Sequence, residues 1–109
     1  MKGTNLGEFE ELVLLMIAVL FDNAYGVAIQ NELQSRCNRS ATISTIHSTL
    51  QRLEKKGFVV SRYDGATAER GGRRKHLFRV TTAGEKALTE AREMRNQLWN
   101  DIPNIAFNR

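Results

Sequence analysis

The stretch Thr42–Phe58, TISTIHSTLQRLEKKGF, decides the fold of this chain. Apolar side chains recur in it at spacings of three, four and three, and they form one stripe on a helix: Ile43, Ile46, Leu50 and Leu53. Thr42 is a typical N-cap residue, and Gly57 is placed to end the helix with Phe58 folding back as the hydrophobic contact. The stretch therefore predicts an amphipathic helix with both ends marked.

The opposite face of this helix carries short hydrogen-bonding side chains followed by positive charge, and the first acid is Glu54. Such side chains suit the base edges and phosphates of a DNA major groove. The candidate DNA contacts on this helix are Ser44, Thr45, His47, Ser48, Arg52 and Lys55. The alternative is an ordinary amphipathic surface helix, which this helix alone does not exclude.

The segment after Gly57 changes from a helical to a strand-like composition. Residues 58–63 and 77–81 are typical of strands, and the connection between them is rich in glycine and charge. The pattern predicts a hairpin whose loop could contact DNA phosphates through Arg70, Arg73, Arg74 and Lys75. The alternative is a solvated loop of charge. Because the polar face of the adjacent helix also lacks acidic residues, the sequence favours a DNA-contacting loop over a solvated one.

The flanking segments complete an order of helix, helix, helix, hairpin, helix. A first helix is predicted over 7–21 and a second over 24–36, with a polar turn before the central helix. A helix pair followed by a basic hairpin is typical of a winged helix-turn-helix. We therefore predict a mainly α fold with a small β-hairpin, whose DNA-binding domain spans residues 1–81.

The last helix is predicted to start near Thr81 or Thr82 and to end before Pro103. It carries a coiled-coil-like apolar seam, and the first helix is apolar on every side. We expect both helices to pair two subunits, with a dimerisation helix over 82–103 and a flexible tail over 104–109. The predicted dimerisation residues are Leu12, Leu15, Ala91, Met94 and Leu98.

Composition limits the classes of function. The 109 residues suffice for one domain, and the net charge of +4 favours a polyanionic partner. The ten-residue apolar run Leu12–Phe21 is too short to span a bilayer. The lone Cys37 excludes an intrachain disulfide. We expect a cytoplasmic protein without a membrane partner.

The candidate catalytic and metal-binding side chains do not form a recognisable site. His47, His76 and Cys37 lack the spacing of a zinc site. Ser44, Ser48 and Cys37 have neither an orienting acid nor an oxyanion motif beside them. We expect no cofactor, no metal and no catalytic residue, so that the chain is not an enzyme.

Five motifs in the same order make the chain similar to PadR-family transcriptional regulators. The matching stretches are Leu6–Glu10, Tyr25–Ile29, Leu50–Gly57, Glu69–Lys75 and Val80–Gly84. The resemblance covers residues 6 to about 100 and implies a short family form with a single C-terminal dimerisation helix. It further implies a dimeric repressor that binds an inverted repeat of double-stranded DNA, often near its own promoter.

Some members of that family respond to phenolic or other aromatic small molecules at the dimer interface. Trp99 lies in the helix where the resemblance would place such a site. We interpret it first as a packing residue of the interface, with a wall of an effector pocket as the alternative. The chain departs from the family pattern at Ser44, where glycine is usual, and at His47 and Phe78, where tyrosine is common. Ser44 and His47 lie on the central helix, which would read the DNA bases, and Phe78 lies on the hairpin, which would be the wing. These departures affect the expected DNA target rather than the fold.

Two other functions remain open from the sequence. Winged helices also serve as protein-interaction modules, and the apolar first helix could bind a different protein. An RNA-binding winged helix has the same charge pattern. Competition between duplex DNA and RNA separates the second alternative from DNA binding, and the association state of the pure protein tests the first.

Overall fold

The computed structural model describes residues 6–64 and 74–108. Within these ranges the chain forms four helices and one hairpin, in the order α1 (Glu8–Leu20), α2 (Gly26–Cys37), α3 (Ile43–Lys55), β1 (Val59–Asp64), β2 (Lys75–Val80) and α4 (Thr82–Asn100). Short 3-10 helices span Phe21–Asn23 and Asn104–Phe107. The predicted mainly helical fold with a small hairpin is confirmed.

The core lies between the first three helices. Each contributes one apolar stripe, and the fully buried side chains are Val13, Leu14, Ile17, Ile29, Leu33, Ile46, Leu50 and Leu53. Val59 and Phe78 of the hairpin close this cluster from the side. The stripe predicted for α3 supplies three of these residues, whereas Ile43 is partly exposed at the start of the helix.

Both ends of α3 are formed by the residues that the sequence marks. The Thr42 hydroxyl oxygen accepts the N–H of Thr45 at 3.1 Å. Gly57 adopts a φ of +80°, a conformation that favours glycine. The Phe58 N–H then donates to the Leu53 carbonyl at 3.0 Å, as in a Schellman motif. The chain therefore leaves α3 in a fixed direction, directly into the hairpin.

The antiparallel hairpin is joined to the connection between α1 and α2. Its register pairs Val59 with Val80 and Asp64 with Lys75. The Phe78 N–H donates to the Ala24 carbonyl at 2.9 Å, so that Ala24 lies beside β2. The sequence predicted a start of α2 at about Ala24, but the helix begins at Gly26, because Ala24 has non-helical backbone angles (φ −88°, ψ 86°) beside β2.

Helix α4 is attached to the rest of the protomer by its first half. Thr81 caps it, and a Cβ on Gly84 would lie 2.3 Å from the Phe58 carbonyl oxygen, so the helix base is in direct contact with the chain before β1. Ala87 and Ala91 are buried. From Arg92 to Asn100 all side chains are exposed. Apart from the ion pair between Arg95 and Glu11 of α1 at 2.8 Å, the distal half of α4 therefore projects from the protomer with its side chains exposed.

Candidate nucleic-acid interface

The side of α3 that points away from the core presents a row of polar side chains. Ser44, Ser48, Gln51 and Lys55 follow one another at spacings of four, three and four, and all are exposed. None of them forms a hydrogen bond or an ion pair within the part of the chain that the structure describes. We call these four residues the outward face of α3. It is free to contact a ligand without breaking an internal bond.

One edge of α3 is tied to α1 through Glu10. The Arg52 Nε donates to one oxygen of this carboxylate at 3.1 Å, and Lys56 Nζ donates to the other at 2.7 Å. The Gly7 N–H adds a third bond at 2.9 Å. Glu10 is only 7% exposed. Arg52, predicted as a phosphate contact, is thus partly committed inside the protomer, although its side chain remains 54% exposed.

The charge state of Glu10 reflects two opposed effects. Burial raises the pKa of its carboxyl, because a desolvated charge is unfavourable. The hydrogen bonds from Lys56, the Gly7 N–H and Arg52 outweigh burial and leave the pKa below its ordinary value of 4.5. Glu10 is therefore ionised at neutral pH and joins the start of α1 to the end of α3.

Two other predicted contacts lie at the edges of the outward face. The Thr45 hydroxyl accepts a hydrogen bond from the Thr42 hydroxyl at 3.0 Å, next to the helix cap. On the other edge His47 packs against α2, where a Cβ on Gly26 would lie 2.9 Å from the imidazole Nε2. Both side chains are exposed but are partly engaged within the protomer, unlike Ser44 and Ser48.

The start of β2 brings positive charge beside α3. Arg74 and Lys75 are exposed, and Lys75 Nζ lies 4.7 Å from the centroid of the Tyr25 ring. Tyr25 immediately precedes Gly26, which contacts His47 of α3. A chain of contacts therefore runs from the start of β2 through the start of α2 to α3. The predicted contacts Arg70 and Arg73 lie outside the described residues.

A second cation–π contact holds the hairpin at its other end. The Arg79 guanidinium lies 4.7 Å from the Phe21 ring and forms an ion pair with Asp22. Together with the Ala24–Phe78 hydrogen bond, these contacts fix the orientation of the hairpin relative to α2 and α3. Strand β2 is thus tied to the segment between α1 and α2 at both of its ends.

The arrangement of three helices, hairpin and fourth helix agrees with the family comparison. The model of the transcriptional regulator PadR-like family matches residues 14–90, more than half of the chain. The chain belongs to the PadR-like family. PadR-family proteins are transcription regulators and not enzymes. No curated protein sequence matches the chain significantly.

Solved structures share the PadR fold. A PadR-like transcription factor from Bacteroides fragilis is 20% identical, with a TM-score of 0.73 and 84% of each chain covered. A PadR-family regulator from Clostridium difficile R20291 is 27% identical, with a TM-score of 0.63, 86% of this chain and 88% of that chain covered. Bacillus subtilis PadR, solved in complex with operator DNA, is 20% identical, with a TM-score of 0.62, 74% of this chain and 44% of that chain covered.

The predicted dimerisation residues fall into two groups in this PadR-family protein. Leu12 packs against the core and Ala91 is buried, so both already stabilise the protomer. Leu15 of α1 and Met94 and Leu98 of α4 are exposed, and Leu98 is 62% exposed. This second group is the more exposed to a partner, whereas Leu12 is only partly exposed.

Trp99 is the single tryptophan and is 64% exposed. Its ring centroid lies 6.1 Å from that of Phe107, in the segment predicted to be a flexible tail. Two grooves of about 290 and 340 Å³ flank the contact between α1 and α4, and Trp99 lines neither of them. An effector site at Trp99 would therefore need groups from outside these grooves.

Two residues of the candidate site and its support are absent from the sequence-based predictions. Gln51 is on the predicted polar face but was not among the candidate contacts, and its position in the outward face follows from helical spacing alone. The sequence assigns no role to Glu10. Its pairing with Arg52 and Lys56 spans more than forty residues, and no local pattern signals it.

Two negative findings concern the described ranges only. Residues 6–64 and 74–108 contain no cluster of three or more side chains that could hold a metal ion. No helix in these ranges combines the length and apolar character needed to cross a membrane.

Proposed function

We propose that this protein is a homodimeric transcriptional repressor that binds an inverted repeat of double-stranded DNA in the cytoplasm. Residues 1–81 form the DNA-binding domain, residues 82–103 the dimerisation helix, and residues 104–109 a flexible tail. Each protomer inserts α3 into a major groove, with the two half-sites about one helical turn apart, and places its wing on the flanking backbone.

One observation carries the DNA-binding proposal: the outward face of α3 is polar, exposed, free of acids and beside a basic wing. Ser44 and Ser48 are short enough to let the helix approach the bases closely. Lys55, Arg74 and Lys75 are exposed and would supply positive charge for phosphates. The similar fold of Bacillus subtilis PadR, which was solved in complex with operator DNA, supports DNA binding.

The exposed apolar side chains of α1 and α4 support the dimer. Leu15, Met94 and Leu98 would lie in water in a single protomer, and a second copy offers the same residues in return. A two-fold interface of this kind is self-complementary. Two-fold symmetry of the protein then implies two-fold symmetry of its DNA site.

The decisive experiment is a fluorescence-anisotropy titration of duplex DNA from upstream of the protein's own gene, with a scrambled duplex as control, at several salt concentrations. We expect tight binding to the first duplex and weaker binding to the second. Affinity for both should fall steeply with salt, by about a thousandfold or more between 50 and 200 mM for six to ten phosphate contacts. Absence of binding to either duplex at low salt would contradict DNA binding.

We further propose that an aromatic small molecule binds beside Trp99 in the dimer and weakens DNA binding. The single tryptophan makes intrinsic fluorescence a direct probe of this site. Titration with phenolic acids and other aromatic compounds should quench the emission, and the quenching ligand should release DNA. Quenching without any change in DNA affinity would contradict a regulatory role.

A protein-interaction module is the second candidate, and the exposed distal half of α4 favours it. Sedimentation of the pure protein separates the two functions. A stable dimer is expected for the repressor, whereas a monomer with its apolar surface uncovered would favour a different protein partner.

A further inference from the structure

Not all of the predicted DNA contacts on α3 are equally free to read bases. Arg52 donates to the Glu10 carboxylate at 3.1 Å, and Thr45 is bonded to the Thr42 cap at 3.0 Å. His47 lies against Gly26 at the other edge. These three side chains border the outward face, so the central row is the part of α3 that is freest to contact bases.

Within that row the side chains differ in reach. Ser44 and Ser48 end one atom beyond Cβ, so they contact bases only if α3 lies deep in the groove. At that depth the next member, Gln51, extends its amide to the base edges. Lys55 lies four residues further, about 6 Å along the helix axis, towards the phosphate backbone.

The Gln51 amide has the chemistry of a base reader. It offers one donor and one acceptor in a plane, which match the N7 and N6 groups of adenine in the major groove. No acidic side chain lies in the outward face to compete for its amide donor. Glu54, on the flank of α3, accepts a hydrogen bond from the Ser61 hydroxyl at 2.8 Å.

We propose that Gln51 is a specificity-determining residue that reads one adenine in each half-site. The proposal rests on the proposed DNA-binding function and assigns a sequence preference within it. Because each protomer carries one Gln51, the two adenines are related by the two-fold axis of the site.

In vitro selection from randomised duplexes tests the assignment with full-length wild type, Gln51→Ala and Gln51→Glu. We expect the wild type to select one A·T pair at a fixed position in each half-site. Gln51→Ala should lose the preference at that position alone and bind the wild-type site roughly five- to a hundredfold more weakly. Gln51→Glu should shift the preference to a C·G pair, because a carboxylate accepts from the cytosine N4 group.

Gln97→Ala on α4 is the matched control, since this glutamine is also exposed and helical. It should leave the selected sequence unchanged, and circular dichroism melting should show that the Gln51 variants fold. An unchanged motif for Gln51→Ala, or equal weakening on all sequences, would overturn the base-reading role while leaving DNA binding intact. A wild type that selects no motif would overturn the proposed function and this assignment together.

Discussion

Helices α3 and α4 both begin at a threonine cap, yet they are anchored in the protomer in different ways. Helix α3 buries apolar residues from Ile46 to Leu53 and exposes a polar outward face. Helix α4 buries Ala87 and Ala91 near its base and then exposes Leu98 and Trp99. One helix is stabilised along its length by its own chain, the other over half of its length.

The difference shows that two exposed surfaces can require different partners. A polar side chain left in water keeps its hydrogen bonds, so the outward face of α3 costs the isolated protomer nothing. Burying a leucine gains roughly 1.5–3 kcal/mol, which the distal part of α4 obtains only from another molecule. In the proposed dimer a partner at α4 would therefore add to stability, whereas a partner at α3 would serve function alone.

The largest effect is expected from placing a charge at the exposed apolar end of α4. Leu98→Glu would bury one carboxylate from each subunit in the proposed dimer interface, with no basic partner supplied. Burying these unpaired carboxylates is costly, and each tenfold change in the dissociation constant corresponds to only about 1.4 kcal/mol. The dissociation constant of the dimer should therefore rise by about a thousandfold. Analytical ultracentrifugation across a concentration series measures this change.

Asn100→Glu is the control for that experiment. It adds the same charge two residues further along, about 200° around the helix from Leu98. This variant should remain dimeric. If Leu98→Glu also stayed a dimer at low micromolar concentration, the comparison would fail, since the exposed end of α4 would then not need a partner.

The next largest effect concerns the packing of the base of α4 against Phe58. Gly84→Ala would place a methyl group 2.3 Å from the Phe58 carbonyl oxygen, where only backbone movement can relieve the overlap. We expect the free energy of unfolding to fall by about 3 kcal/mol. Urea denaturation at fixed protein concentration measures it.

Gly26→Ala gives the contrast within the same chain. Its methyl group would meet the His47 imidazole, the end of a side chain that can rotate away. Because alanine also favours a helix by about 1 kcal/mol, the net change should be small. A loss at Gly84 as small as that expected at Gly26 would show that the base of α4 packs less tightly than its contact with Phe58 indicates.

Much of this fold could be predicted because its signals are local. The stripe of α3, its cap at Thr42 and the turn at Gly57 all lie within one short stretch. The boundary at Ala24 could not be predicted, because it depends on a hydrogen bond from Phe78, which lies far along the chain. Likewise, the apolar seam of α4 shows no sign that Ala91 is buried by its own protomer.

The candidate site divides in the same way. Periodicity alone places Ser44 and Ser48 on the outward face. The long-range pairing of Arg52 with Glu10 is invisible to local patterns, since each residue is an ordinary surface charge when taken by itself. The DNA contacts themselves remain predictions, which DNA titrations and selection from randomised duplexes test.

An intermediate effect is expected at the ion pairs that join α3 to α1. Glu10→Gln removes the charge that Arg52 and Lys56 share, and should lower the free energy of unfolding at pH 7 by about 1–2 kcal/mol. The pKa of Glu10 is lowered in the folded state, so its stabilising contribution is complete above 4.5 and is lost as pH falls further. The difference between wild type and variant should therefore shrink in acid.

Urea denaturation between pH 7 and pH 3 follows this difference. Glu90→Gln, at an exposed position on α4, is the control and should show only a small change at pH 7. If the difference in free energy of unfolding between wild type and Glu10→Gln grew as the pH fell, the trend would be opposite to the one expected. It would mean that burial, rather than the bonds from Lys56, the Gly7 N–H and Arg52, dominates the pKa.

The smallest effect separates charge from base reading on the outward face of α3. Lys55→Ala should weaken binding severalfold on operator and scrambled duplexes alike, because a phosphate contact carries no sequence information. The slope of log affinity against log salt should fall by about two for the dimer, one per protomer. Lys86→Ala on α4 should leave the slope unchanged. If Lys55→Ala weakened only the operator complex, Lys55 would be reading bases, and the division of the outward face into a base-reading part and a phosphate-binding part would be wrong.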